Sequence, residues 1–155
     1  MNERDAVLVR AAKHAQAYLS GVGTRPVHAL ASAATLRALG GPVPAGGEDP
    51  IAVLDRLAAA AEIGTVATQG TRYYGFVTGG SLPVATGADW LVSTWDQNGG
   101  IFALSPLVSV VEEVAVEWIL DLVGLPPTWS AGFVTGCQMA NFTGLVAARH
   151  KVLRD

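Results

Sequence analysis

Apolar residues recur at helical spacing along most of this chain. The first twenty residues have apolar side chains at Val7, Leu8, Ala11, Ala15, Tyr18 and Leu19, and Ser20-Gly21 stops the pattern. Similar patterns predict further helices over 30–39, from Asp49-Pro50 to about Ile63, from Pro83 to Trp95, from Ser105-Pro106 to Gly124, and over 139–153. The sequence therefore predicts about six helices, of which the one beginning at Ser105-Pro106 should be the longest.

Three segments lack the helical period. The stretch GGPVPAGGEDP is rich in proline and glycine and is typical of a loop. The stretch TRYYGFVTGGSLP, residues 71–83, places aromatic residues beside two adjacent glycines. Residues Ala131 to Thr135 form an apolar run that predicts a strand. Since a single strand cannot form a sheet, we expect the remaining strands to lie outside this chain.

Composition narrows the class of protein. The chain has 155 residues, of which half are hydrophobic and 15% are charged, below the ~25% usual for soluble domains. Its net charge is −3 without a basic cluster, which argues against nucleic-acid binding. No apolar run approaches the roughly 18 residues of a membrane span, and the N-terminus does not resemble a signal peptide. With its single cysteine, Cys137, the chain is predicted to be cytoplasmic.

The stretch GFVTGCQMANFTGL, residues 132–145, contains the clearest candidate for a binding site. A strand that turns directly into a helix leaves the first backbone N–H groups of the helix free, and these groups favour a phosphate. Gly136 would allow close approach, and Cys137 and Gln138 would donate. The spacing alone is a weak signal, because strand–glycine–helix turns are common. Neither a Walker loop nor a dinucleotide-binding glycine pattern is present.

Four motifs in order resemble the group II pyridoxal-phosphate-dependent decarboxylases, the family of glutamate and aromatic amino-acid decarboxylases. They are RYYGFVTGGSLP with the following GADWL, Asn98 after Trp95-Asp96, SPLVSVVEEVAVEWILDLVGLP, and GFVTGCQMANFTGLVAARH. The resemblance is specific from about Asp49 to Leu153. It implies an α/β fold of the aspartate-aminotransferase-like type, here truncated to a mostly helical part with the first strand and the phosphate-loop helix.

The resemblance also implies a domain division and site residues. Residues 1–48 would be an N-terminal helical segment, and residues 49–155 the start of the domain that binds pyridoxal 5'-phosphate. Gly136, Cys137 and Gln138 fall where the family holds the cofactor phosphate, although Cys-Gln departs from the small residues usual there. Thr78, Ser81 and Asn98 fall at positions near the substrate pocket.

Each of these residues also has a structural interpretation. Thr78 and Ser81 flank Gly79-Gly80 as turn residues would, and Asn98 precedes a glycine. Cys137 is typical of a small filler residue. The adjacent Glu112 and Glu113 diverge by about 100° on a helix and do not form a paired-carboxylate site. The three histidines are scattered over three segments, so no metal site is predicted.

The family's catalytic lysine, aspartate and histidine lie beyond the phosphate loop in sequence. Of the two lysines here, Lys13 lies in the N-terminal segment, and Lys151 would lie ~20 Å along the same helix from Gln138. The resemblance therefore implies a fragment of an amino-acid decarboxylase, homodimeric at full length and inactive as this chain alone. A non-catalytic helical interaction module, a degenerate paralogue, and an aminotransferase or lyase with the same cofactor remain alternatives. The identity of the amino-acid substrate also stays open.

Overall fold

The structure, a computed structural model, describes residues 2–153. Six α-helices and one short 3-10 helix make up its regular structure. They are α1 (Glu3–Gly21), α2 (Ala33–Leu36), the 3-10 helix (Arg37–Leu39), α3 (Pro50–Gly64), α4 (Pro83–Trp95), α5 (Pro106–Leu122) and α6 (Cys137–Leu153). The chain divides within α4 into two units, residues up to Ala88 and residues from Asp89 onward. The proposed domain boundary between residues 48 and 49 stays a prediction.

The predicted α/β fold is wrong for this part of the chain. Residues 131–135 form no strand, and there is no strand or sheet anywhere between residues 2 and 153. A strand is stabilised by hydrogen bonds to a neighbouring strand, and the described residues offer no second extended segment that pairs with this one. The apolar run before Gly136 is therefore an irregular connection.

The sequence predicts the positions of the helices correctly and their lengths less accurately. Asp49 caps α3 as expected, because its side chain accepts a hydrogen bond of 3.1 Å from the backbone N–H of Ile51. The prediction that the helix after Ser105 is the longest is wrong, since α1 has 19 residues and α5 has 17. The helix predicted over 30–39 is shorter, because α2 begins only after Ser32, whose hydroxyl accepts from the backbone N–H of Thr35.

The first unit is organised around the packing of α1 on α3. Arg10 and His14 of α1 both contact the carboxylate of Asp55 on α3. The loop that follows α1 is fixed by Arg25. Its guanidinium group lies 4.4 Å from the centroid of the Tyr18 ring and donates to Glu62 at 2.7 Å. These contacts join residues distant in sequence and define the tertiary structure of this unit.

Little of the chain is buried. Among the described residues, the only buried hydrophobic ones are Ala67 and Leu120. The accessible surface is 12493 Å², whereas two compact domains of half this mass each would expose only about 8,900 Å². The helices thus leave extensive apolar surface in contact with water. Within residues 2–153, no helix has both the length and the apolarity needed to cross a membrane.

Candidate phosphate-binding site

The N-terminus of α6 has three backbone N–H donors that lack an acceptor in the part of the chain that the structure describes. The first helical hydrogen bond runs from the N–H of Ala140 to the carbonyl oxygen of Gly136, at 3.0 Å. Between residues 2 and 153, no group accepts a hydrogen bond from the N–H of Cys137, Gln138 or Met139. The helix dipole adds partial positive charge at the same place. This arrangement can bind an anion.

Gly136 explains how the chain enters α6 so abruptly. Its φ of +157° is a conformation that residues with side chains rarely adopt, and a β-carbon there would meet no atom within 4 Å. A residue with a side chain at this position would therefore strain the backbone, although its β-carbon would meet no neighbouring atom.

A shallow cavity of about 500 Å³ lies at this end of the helix. It is lined by Thr135, Gly136, Cys137, Gln138, Met139 and Phe142. The first turn of α6 has no acidic residue, so no carboxylate of the helix competes with an anion for the donors. The Cys137 thiol is exposed and accepts a weak hydrogen bond, 3.9 Å long, from the side-chain amide of Asn141.

These residues fit the phosphate of pyridoxal 5'-phosphate but supply no lysine for its aldehyde. Three free N–H groups at a helix start match the acceptor oxygens of a phosphate ester. Lys151 lies in the last turn of the same helix, thirteen residues after Gln138 and so ~20 Å along its axis. The pyridoxal ring is too small to span that distance.

Thr78 and Ser81 lie in the first unit, in the loop before α4. The Thr78 hydroxyl donates weakly, at 3.5 Å, to the carbonyl oxygen of Phe76, and the Ser81 hydroxyl shares a hydrogen bond of 3.2 Å with that of Thr86. Phe76 and Val77 have φ values of 54° and 55°, which is unfavourable for a β-branched residue such as valine. The hydroxyls of Thr78 and Ser81 therefore have local partners on a strained, exposed loop.

Asn98 forms a local turn in the second unit. Its side-chain oxygen accepts a hydrogen bond of 2.9 Å from the backbone N–H of Gly100. This is the ordinary role of an asparagine before a glycine. Asn98 does not line the cavity at Gly136. The substrate-binding roles of Thr78, Ser81 and Asn98 stay predictions.

Sequence reasoning missed the charged cluster between α1 and α3. Arg10 Nε and Nη2 donate to the two oxygens of Asp55 at 2.5 and 2.7 Å, and His14 Nε2 lies 2.7 Å from Oδ1. Hydrogen bonds from Arg10 and then from His14 lower the pKa of Asp55 from 3.8 to about 2. Arg10 and His14 are four residues apart and so share one face of α1, but nothing in the sequence identifies Asp55 as their partner.

No family model matches the chain, and no solved structure matches it.

Proposed function

We propose that this chain supplies the phosphate-binding part of a pyridoxal-phosphate-dependent amino-acid decarboxylase, a carboxy-lyase. The observation that carries the proposal is the set of three N–H groups at the start of α6 that have no acceptor among residues 2–153, within a segment that resembles the family's phosphate loop. When bound, pyridoxal phosphate supplies an electron sink for breaking a bond at the α-carbon of an amino acid. The residues of this chain hold and orient that group.

Each residue of the site has a distinct role in the proposal. Cys137, Gln138 and Met139 donate backbone N–H groups to the phosphate, and the Gln138 side-chain amide adds a further donor. Gly136 keeps the approach open because it lacks a side chain. Thr78, Ser81 and Asn98 are proposed to contact the amino-acid substrate.

The chain acts only as part of a larger enzyme in this proposal. It has no lysine near the phosphate site on α6, so the isolated chain is expected to release no carbon dioxide. The complete enzyme is proposed to be a cytoplasmic homodimer. The apolar helix faces exposed here would then be covered by the rest of that enzyme.

A chimaera tests the proposal. The chain is fused in front of the remainder of a glutamate or aromatic amino-acid decarboxylase from which the equivalent N-terminal part has been removed. We expect the fusion to retain pyridoxal phosphate through gel filtration and to release carbon dioxide from the amino acid of the donor enzyme. The donor remainder without this chain should do neither.

Two glycine variants of the chimaera separate phosphate binding from folding. Gly136→Val should lower cofactor retention at least tenfold, because the side chain strains the turn and fills the space before the donors. Gly132→Val is the matched control, since a β-carbon at Gly132 meets no atom within 4 Å and its φ is not in the strained region. Equal cofactor retention by both variants would contradict a phosphate site at Gly136.

The exposed apolar surface favours a second candidate, a non-catalytic helical interaction module. Trp118 and Leu122 on α5 and Leu145 on α6 are all more than two-thirds exposed. An interaction module would bind a protein partner without any requirement for pyridoxal phosphate. A chimaera that folds and dimerises but never retains the cofactor would favour this candidate over the decarboxylase.

A further inference from the structure

The loop before α4 contains a tight turn whose sequence does not suit its conformation. The N–H of Thr78 donates to the carbonyl oxygen of Gly75 at 3.2 Å, and the residues between them, Phe76 and Val77, have φ values of 54° and 55°. Two positive φ values inside such a turn are typical of type I′, which favours asparagine and glycine. Phenylalanine and valine instead favour the extended conformation. The backbone of this turn is therefore strained at two adjacent residues.

Contacts outside the turn do not compensate for this strain. The side chains of Phe76 and Val77 are 95% and 107% exposed, so neither packs against the rest of its unit. Within residues 2–153, the partner of the Thr78 hydroxyl is the carbonyl oxygen of Phe76, 3.5 Å away and inside the turn itself. A strained conformation persists when its surroundings fix it, and here they do not. The turn can therefore exchange with an extended conformation of similar free energy.

Glycines flank the turn on both sides. Gly75 precedes Phe76, and Gly79-Gly80 follows Thr78. A β-carbon at Gly79 would meet no atom within 4 Å, so the backbone has open space there. Glycine accepts large changes in φ and ψ, which is what a hinge requires. The segment is thus hinged at both ends.

We propose that residues 75–80 form a lid, which leaves the type I′ turn and becomes extended when it closes over the amino-acid substrate. This inference rests on the proposed function, which places Thr78 at the substrate. In an extended segment alternate residues face the same side, so Phe76 and Thr78 face the substrate together and Val77 faces away. The Phe76 ring then covers the substrate, and the Thr78 hydroxyl binds one of its polar groups. Phe76 is a further substrate-contact residue, and Val77 is a positioning residue that acts through the backbone.

Relaxation dispersion by nuclear magnetic resonance, on the full chain without any ligand, tests the conformational change. We expect exchange on the microsecond-to-millisecond timescale at the amides of Phe76, Val77 and Thr78, and none in the body of α3. Val77→Gly should suppress this exchange, because glycine adopts the left-handed conformation freely. Val77→Pro should also suppress it, because proline cannot adopt a positive φ and keeps the preceding residue extended.

Val77→Ile is the matched control, since isoleucine has the same branching at its β-carbon as valine and should keep the exchange. A wild-type chain without exchange at these three amides would overturn the lid. So would exchange that is the same in the glycine, proline and isoleucine variants.

The same variants in the decarboxylase chimaera test what the lid covers. Val77→Gly should raise KM for the amino acid roughly tenfold with kcat unchanged, because it lowers the fraction of molecules in the extended, binding-competent conformation. Val77→Pro should lower KM, because it removes the turn. Phe76→Ala should raise KM roughly tenfold through the lost apolar contact, whereas Val77→Ile should leave it within about twofold.

The results distinguish the lid from the proposed function. A chimaera that retains pyridoxal phosphate but has the same KM with valine, glycine and proline at position 77 would overturn the lid and leave the proposed function standing. A chimaera that retains no pyridoxal phosphate would reject the proposed function, and the exchange measurement on the chain alone would still decide whether the turn changes conformation.

Discussion

At the scale of single residues, Gly124 shows how the sequence ends a helix. It follows α5 with a φ of +71°. Its N–H donates to the carbonyl oxygen of Asp121 at 3.1 Å, and the N–H of Leu125 donates to that of Leu120 at 2.9 Å. These two hydrogen bonds satisfy the carbonyl groups of Leu120 and Asp121 at the helix end, and they form because Gly124 adopts the left-handed conformation.

Replacing Gly124 should therefore destabilise the second unit. We expect Gly124→Ala to cost about 1 kcal/mol, because a side chain is unfavourable in the left-handed conformation. Gly144→Ala, inside α6 with open space around its β-carbon, should instead stabilise by about 0.5–1 kcal/mol. Urea denaturation followed by circular dichroism measures both. A Gly124→Ala variant at least as stable as the wild type would contradict the left-handed backbone at Gly124.

Asp55 makes the stability of the packing between α1 and α3 depend on pH. Its pKa is lowered in the folded chain, so its contribution to stability is complete above the unfolded pKa of 3.8 and is lost as the pH falls towards 2. We expect the difference in melting temperature between wild type and Asp55→Asn to be constant near neutral pH and to shrink between about pH 4 and pH 2. A difference that stays constant down to pH 2 would show that Asp55 is not paired in the folded chain.

At the scale of elements, the capping residue of α3 has a measurable effect. Asp49→Ala removes the acceptor of the Ile51 N–H and should lower the free energy of unfolding by about 1 kcal/mol. Asp89→Ala removes an exposed carboxylate inside α4 and should change it by less than about 0.5 kcal/mol. Thermal denaturation of the two variants distinguishes a specific cap from a general effect of charge.

The helices were predictable because their signals are local. Asp49-Pro50, Pro106 and Gly124 fix helix ends through their own capping and backbone preferences. The absence of a strand at residues 131–135 could not be predicted, because a strand depends on hydrogen bonds to a distant segment, and an apolar run does not reveal whether that segment is present. The N–H donors of Cys137 and Gln138 could be predicted because they depend only on where the helix begins. The partner of Arg10 and His14 could not, because it depends on how two helices pack.

At the scale of the whole molecule, exposed apolar surface is the dominant feature. We expect the chain to bind a hydrophobic dye under native conditions, because such patches on a folded protein mark interaction surfaces. Leu122→Glu and Val152→Glu should each lower dye binding without loss of helix content, since both side chains are more than 70% exposed. Leu120→Glu, at a buried position, should instead reduce the helix content measured by circular dichroism.

The central claim is that the start of α6 holds the phosphate of pyridoxal phosphate. The most direct measurement is a nuclear magnetic resonance titration of the chain with pyridoxine 5'-phosphate, which lacks the aldehyde and cannot react with lysines, and with pyridoxine as the control without phosphate. The account predicts shifts of the Cys137, Gln138 and Met139 amide signals with the phosphate ester alone, and their loss in Gly136→Val. Equal shifts with both compounds, or shifts confined to other residues, would contradict it.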